Sequence, residues 1–205
     1  MGLLSDIGAG AAVVVSAYSL WQTSLKRPAL KVFVSPVIRY ASPYQNSNFE
    51  AFAIPLTITN EGARTGTVLS MDLVVKNPEK SVSKRFFSAD VGQWSVEKSQ
   101  KGDFTPFAPI VLSGRGSHTD TVLFHPRREE KVMQIVDHEG HYQFELTLQA
   151  AQNQDAGWFG SGGDQPAKCL SFEMVLPILD HRAFTSGSGT LALHHRDWQT
   201  SMAGD

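Results

Sequence analysis

The clearest structural pattern in the chain is Phe49–Val75, FEAFAIPLTITNEGARTGTVLSMDLVV. Bulky apolar residues occupy alternate positions in two arms, and successive side chains of a strand point to opposite faces. The segment between the arms, NEGARTG at 60–66, holds an asparagine and two glycines, which accept the positive φ angles of a turn. A period of two predicts two antiparallel strands with one face on a core, not a helix. The apolar positions are Phe52, Ile54, Leu56, Ile58, Leu69, Met71, Leu73 and Val75.

Pro55 lies inside the first arm, where the alternation continues past it. Proline has no N–H to donate to a neighbouring strand. The residue is therefore predicted on an edge strand, or where its nitrogen faces away from the neighbour.

The same alternation recurs along the chain and predicts about seven or eight strands, with no helix after residue 28. Val132–Asp137 is predicted as a helical turn or a short strand. A sheet with one apolar face needs a second sheet to cover it, so the fold predicted is a β-sandwich. Its shared core is predicted to contain Phe52, Leu56, Leu73, Phe124, Tyr142, Phe144, Leu146 and Phe172.

Composition limits the class of protein. The chain has 205 residues, of which 41% are hydrophobic and 19% charged, which suits one folded domain with appendages. Its net charge of −2 argues against a general nucleic-acid binder, which needs a basic surface. Cys169 is the single cysteine, so no intrachain disulfide can form. A free thiol favours a reducing compartment.

The N-terminal segment Leu3–Leu25 has no charged residue between Ile7 and Trp21. As a helix it would be about 34 Å long, enough for a hydrocarbon core of about 30 Å. It predicts a single transmembrane span over residues 3–25, in contact with membrane lipid. The alternative is a soluble helix that is buried in the protein or docks on a partner protein. No Lys or Arg precedes Lys26, which argues against a cleaved secretory signal.

The flanks of this segment predict its anchoring and orientation. Tyr18 and Trp21 lie where an interfacial aromatic belt is expected, and Lys26 and Arg27 follow directly. Basic residues accumulate on the cytoplasmic side of a membrane. The prediction is an N-terminus outside and a folded domain on the cytoplasmic side.

Three regions follow from these patterns: a hydrophobic helix at 1–28, a β domain at 29–180 and a polar tail at 181–205. The tail is rich in Gly and Ser and is predicted to be disordered. Leu191–Trp198 is the exception, where a short helix or a docked strand is the alternative.

Candidate catalytic and metal sites lack the context that their chemistry needs. Asp137–His141, DHEGH, holds several metal-binding residue types, but on a predicted turn and without an HExxH helix. Ser117–His125 contains Ser, His and Asp, but no G-x-S-x-G elbow precedes it. The segment 157–163, GWFGSGG, does not match the G-x-x-x-x-G-K-[ST] motif of a phosphate loop, and no helix is predicted after it. No catalytic residue, metal site or cofactor is predicted.

Trp158 and Phe159 lie in this glycine-rich segment. Aromatic side chains at a loop tip can anchor a partner, so these residues are predicted partner contacts. The alternative is that they pack back onto the domain.

Three segments carry a resemblance to a known type of protein: TNEG at 59–62, APIVLSGRGSHTDTVLF at 108–124 and GHYQFELTL at 140–148. They resemble immunoglobulin-like sandwiches of uncharacterised bacterial proteins that have one membrane span. The resemblance implies an immunoglobulin-like antiparallel β-sandwich and no catalytic residues. The function predicted is a membrane-tethered, non-enzymatic module that binds another protein. The alternative is a ligand-binding or hydrolytic domain with its site in the loops at 90–103 and 150–168.

Overall fold

The computed structural model describes residues 2–43, 50–92, 104–151, 168–176 and 190–195, with the backbone only at 2–9 and 190. Helix α1 (Gly2–Leu20) continues into a π-helical turn at Trp21–Leu25, and an 11-stranded sheet follows. The strands are β1 (Leu30–Val34), β2 (Val37–Ala41), β3 (Ala51–Asn60), β4 (Gly66–Asn77), β5 (Val82–Gly92), β6 (Phe104–Pro106), β7 (Ile110–Leu112), β8 (Ser117–Pro126), β9 (Gly140–Ala150), β10 (Lys168–Leu176) and β11 (Thr190–His195).

The strands form a closed antiparallel barrel, which contradicts the predicted immunoglobulin-like sandwich. Eight strands close the ring in the order β5-β8-β3-β2-β11-β10-β9-β4, and β4 pairs with β5 again. The three additional strands β1, β6 and β7 pair with β3, β5 and β4. The chain is mainly β, as predicted, but alternation reports only which side chains face inward. It does not report which strands are neighbours.

Two strands join what would otherwise be separate sheets. β5 pairs with β4 from Val82 to Phe87 and with β8 from Phe86 to Gly92, across a register shift between Ser88 and Asp90. On the opposite side, β11 pairs with both β2 and β10. The ring therefore closes through a strand that lies in the tail.

The two arms of Phe49–Val75 form β3 and β4, but these strands are not paired with each other. β3 pairs with β1, β2 and β8, whereas β4 pairs with β5, β7 and β9. An irregularity between Val68 and Ser70 also changes the inward face of β4. Val68 is buried and Leu69 is exposed, so the prediction that Leu69 faces the core is wrong.

The core is centred on Phe52, whose ring lies 5.0 Å from the rings of Tyr40 and Phe86 and 5.4 Å from that of Phe144. The predicted core residues are confirmed as buried except Phe172, which is partly buried at the edge of the core. Val132–Asp137 forms neither a helical turn nor a strand, although Ile135 and Val136 are buried.

Pro55 lies in β3 between β8 and the end of β1. Its carbonyl oxygen accepts a hydrogen bond from the Ser35 amide at 3.1 Å. Its nitrogen falls at the interruption between β1 and β2, where no ladder bond is lost.

No helix in the part of the chain that the structure describes is long and apolar enough to cross a membrane. This finding contradicts the predicted span over residues 3–25 and the single-pass, cytoplasmic-side localisation that depended on it. The α-helix ends at Leu20, and its sequence is diluted by the small residues Gly8–Ala12 and the polar Ser5 and Asp6.

The structure describes residues 190–195 of the tail, and these form β11. Leu191 and Leu193 are buried in the core. These six residues therefore form a strand of the barrel, which is the docked-strand alternative to a disordered tail.

Candidate functional site

Helix α1 exposes a run of apolar side chains. Every residue from Gly10 to Trp21 is exposed. The side chains of Val13, Val14 and Val15, Tyr18 and Leu20 are more than half exposed, with Val14 at 68%. Because three consecutive valines point to different sides of a helix, the apolar surface surrounds α1 rather than forming one stripe.

The base of α1 is attached to the barrel by hydrogen bonds from two loops. The guanidinium Nη2 of Arg115 donates to the Gln22 carbonyl at 3.0 Å. The Lys26 carbonyl accepts from the amides of Ala63 and Arg64 at 3.0 and 3.1 Å. The C-terminal end of the helix is therefore held at a fixed point on the barrel.

The residues predicted as a membrane anchor lie around this base. The rings of Tyr18 and Trp21 are exposed, with centroids 6.3 Å apart, and Gln22 Nε2 donates to the Tyr18 hydroxyl at 2.8 Å. Lys26 is half-buried against the loop at 61–66, and Arg27 is exposed. The aromatic pair thus belongs to the apolar surface of α1.

Asn60 holds the loop at the base. Its side chain is buried, and its Oδ1 accepts from the amides of Ala29 and Gly62 at 3.1 and 3.0 Å. Its Nδ2 donates to the carbonyls of Arg64 and Ser113 at 2.8 and 3.1 Å. One amide side chain therefore ties the segment after α1 to two loops of the barrel.

A second polar cluster lies inside the barrel. Glu50 and Lys84 are both fully buried, and Lys84 Nζ lies 2.5 Å from Glu50 Oε1. The Tyr40 hydroxyl donates to Glu50 Oε2 at 2.5 Å. The amide of Ile135 lies 3.3 Å from both carboxylate oxygens, and Lys84 Nζ donates to the Met133 carbonyl at 3.2 Å.

This cluster fastens the segment between β8 and β9 to the barrel. Burial raises the pKa of Glu50, against the opposing hydrogen bonds from Lys84 and Tyr40. Burial, together with the neighbouring Glu50, also raises the pKa of Tyr40. The carboxylate, the ammonium group and the phenol are paired with one another inside the barrel, which is the arrangement of a structural cluster. Its one sequence signal is a lysine at an inward position, two residues before Phe86.

Asp137 and His138 meet the turn between β4 and β5. His138 Nδ1 lies 2.6 Å from Asp137 Oδ1, and its Nε2 lies 2.9 Å from Glu79 Oε2. Lys80 Nζ donates to Asp137 Oδ2. Burial would raise the pKa of Asp137, but the bonds from Lys80 and His138 outweigh it and lower the pKa.

Tyr142 completes this turn cluster, because its hydroxyl donates to the His138 carbonyl at 2.8 Å. Burial raises the pKa of Tyr142 to about 12. Both ring nitrogens of His138 are engaged by carboxylates. No group of three or more His, Cys, Asp or Glu residues suited to a metal ion occurs among the described residues.

Ser117, His118, Asp120 and His125 lie along β8 and are not assembled as a catalytic triad. His118 Nε2 is 3.5 Å from Asp120 Oδ2 at the surface. His125 packs its ring edge-to-face on Phe87, with centroids 6.4 Å apart.

The remaining predicted site residues, Trp158 and Phe159, lie outside the described residues. Most of the two loops proposed for a ligand or hydrolytic site, residues 93–103 and 152–167, lie outside them as well.

Comparison with known proteins identifies no family. No family model matches the sequence, and no curated protein matches it. One similar solved structure is that of a Bordetella pertussis protein assigned as ApaA, with 15% identity and a TM-score of 0.36 over 83% of this chain and 97% of that chain. A TM-score this low carries no argument about this chain.

Proposed function

We propose that the protein is a non-enzymatic binding module that engages a partner protein through α1. The observation that carries this proposal is the exposure of every residue from Gly10 to Trp21 in an apolar helix. Soluble proteins seldom leave a continuous apolar surface of this kind uncovered, and such surfaces mark interaction sites.

The distribution of apolar residues defines the kind of partner. An amphipathic helix lays one face in a groove, whereas a helix that is apolar on all sides is stable when it is enclosed. The side chains of Val13, Val14 and Val15 point to three different sides of α1. The partner is therefore expected to surround the helix with apolar side chains, with Tyr18 and Trp21 at the rim nearest the barrel.

The barrel supports this role by holding the C-terminal end of α1. Arg115 and the loop after Asn60 hold the residues that follow the helix. A helix held at one end loses less freedom on binding than a free segment, so the barrel contributes to affinity without touching the partner.

The test uses two matched substitutions in the full chain. Val14 and Val111 are both exposed, at 68% and 66%, and Val111 lies on β7. Val14→Lys should abolish capture of a specific protein from a lysate of the native host, whereas Val111→Lys should capture it as the parent does.

The captured protein is then purified and mixed with the parent and both variants. Reconstitution should show at least tenfold weaker binding for Val14→Lys alone and protection of the amides of residues 10–20 from hydrogen exchange. Equal binding by both variants would overturn the proposal, as would binding of the purified chain to protein-free lipid vesicles through α1.

A further inference from the structure

Basic side chains surround the base of α1. Some directly follow the helix in sequence, and others come from β1, from the loop after Asn60, from the turn before β8 and from the start of β10. We call this group the basic collar, and its members are Lys26, Arg27, Lys31, Arg64, Arg115 and Lys168. All of them are exposed except Lys26, which is half-buried.

Printed contacts bring the segments of the basic collar together at one end of the barrel. The Lys26 carbonyl accepts from the Arg64 amide at 3.1 Å, which joins the segment after α1 to the loop before β4. The guanidinium group of Arg115 donates to a carbonyl in the π-helical turn after α1. Lys168 Nζ donates to the Leu30 carbonyl at the start of β1. The basic residues are therefore neighbours on the surface from which α1 extends.

Glu61 is the one acidic residue in the described segments that carry the collar, which are 21–34, 60–66, 112–117 and 168–169. Its Oε1 lies 2.5 Å from Lys31 Nζ, and both side chains are about half exposed, at 50% and 51%. The hydrogen bond from Lys31 lowers the pKa of Glu61, and the charges of Lys26 and Lys168 act in the same direction. Six basic residues against one carboxylate leave an excess of five positive charges in these segments.

The apolar surface of α1 meets the basic collar at two aromatic residues. No residue from Gly10 to Leu20 is charged, and Tyr18 and Trp21 are exposed where the helix reaches the barrel. A protein that encloses α1 as far as Trp21 also covers part of the collar. Covering cations without pairing them is costly, so the covering surface needs carboxylates at this place.

We propose that the partner protein that encloses α1 carries aspartate and glutamate side chains around the mouth of its apolar cavity, facing the basic collar. This inference rests on the proposed function, because the partner reaches the collar by enclosing the helix. Opposite charges at the edge of an interface steer the encounter and fix the orientation of the two proteins. The collar thus speeds the entry of α1 into the cavity, and the apolar contacts then hold it there.

An anionic lipid surface also attracts basic side chains, but α1 does not suit it. A helix that lies on a membrane has one apolar face and one strongly polar or charged face. From Gly10 to Leu20, α1 has no charged residue, and its apolar side chains point to all sides. No described helix is long and apolar enough to cross a membrane. A protein cavity instead covers every side of the helix and supplies carboxylates at one end of it.

The test measures the association and dissociation rates of the full chain with the purified protein that is captured through α1. Arg27→Gln and Lys31→Gln, made together, remove two collar charges that do not contact α1. At low salt the association rate constant should fall about tenfold and the dissociation rate should change less than about twofold, because charges at the edge of an interface act on the encounter. Changing both residues to glutamate should slow association further.

Matched substitutions at the other end of β8 provide the control. Arg128 and Lys131 are exposed in the segment that follows this strand, so Arg128→Gln with Lys131→Gln removes the same two kinds of charge far from α1. This control should associate at the rate of the parent. At about 1 M salt, where the Debye length is about 3 Å, the parent and the collar variant should associate equally slowly.

Val14→Lys separates the collar from the helix. It should raise the dissociation rate, since it removes an apolar contact that forms after the encounter. If Val14→Lys weakens binding but the collar variant associates like the parent, or the collar variant and its control are slowed equally, this inference fails and the proposed function stands.

Two further results would overturn the inference. One is binding of the full chain to vesicles of phosphatidylcholine and phosphatidylserine but not to vesicles of phosphatidylcholine alone, which would assign the basic collar to anionic lipid. The other is that no protein is captured through α1, in which case the proposed function fails as well.

Discussion

Lys84 Nζ lies 2.5 Å from Glu50 Oε1 in the interior of the barrel, and neither side chain has any exposed surface. Each charged group has further hydrogen-bond partners. Glu50 accepts from the Tyr40 hydroxyl and the Ile135 amide, and Lys84 donates to the Met133 carbonyl. The pair thus fastens the irregular segment before β9 onto β5 and onto the residue that precedes β3.

Removing one partner of this pair should destabilise the protein strongly. Lys84→Met leaves the Glu50 carboxylate buried without its cation, which costs about 3–5 kcal/mol in the free energy of unfolding. Urea denaturation measures this loss. Lys76→Met is the matched control because Lys76 pairs with Glu145 at the surface, 41% and 37% exposed, and should cost less than about 1 kcal/mol. Equal effects of the two substitutions would show that Lys84 is not buried with Glu50.

Gly62 should not tolerate a side chain. A Cβ at this position would lie 2.1 Å from the Arg27 carbonyl oxygen, so the loop at the base of α1 must shift. Gly62→Ala is expected to cost about 1–3 kcal/mol, measured as a fall in Tm. Gly10→Ala is the control, since a Cβ there meets nothing within 4 Å. An unchanged Tm for Gly62→Ala would refute the tight contact between this loop and the segment after α1.

β11 should be required for stability. Leu193 has no exposed surface, and Leu193→Ala removes core volume at a cost of about 2–5 kcal/mol. Its neighbour Ala192 is exposed, so Ala192→Ser should leave the unfolding midpoint unchanged. If both variants unfold like the parent, the tail does not form a strand of the barrel.

His125 should make the stability depend on pH. Burial lowers the pKa of this imidazole from its ordinary 6.5, against a smaller opposing effect of Asp90. The unfolded chain therefore binds the proton more tightly than the folded protein does. The contribution of His125 to the free energy of unfolding is complete above pH 6.5 and is lost as the pH falls through the lowered pKa of the folded state. Between about pH 7.5 and about pH 5, the free energy of unfolding should fall less for His125→Gln than for the parent. Equal falls would contradict the prediction.

The strands could be predicted from the sequence because alternation reports burial directly. Phe52, Leu73, Phe144 and Leu146 are all core residues, as the period of two indicates. Neighbour relations could not be predicted, because they depend on pairings between strands distant in sequence. Leu69 shows the limit within one strand: a local irregularity, which no residue pattern announces, turns it outward.

The sequence left the tail undecided and gave no sign of the polar interior. At Leu191–Trp198 a short helix and a docked strand were both open, and residues 190–195 form the strand because β2 and β10 provide two edges for it. Glu50 and Lys84 are 34 residues apart and meet only in the closed barrel. For α1, the apolar composition predicted a membrane span, which is wrong because the helix is not long and apolar enough to cross a membrane.

The most direct test of the account places a photo-cross-linking amino acid at position 14 or position 111 of the full chain and irradiates cells of the native host. Both positions are exposed, but only position 14 lies in α1. The account predicts one discrete protein adduct from position 14 and none from position 111. No protein adduct from position 14, or the same adducts from both positions, would contradict it.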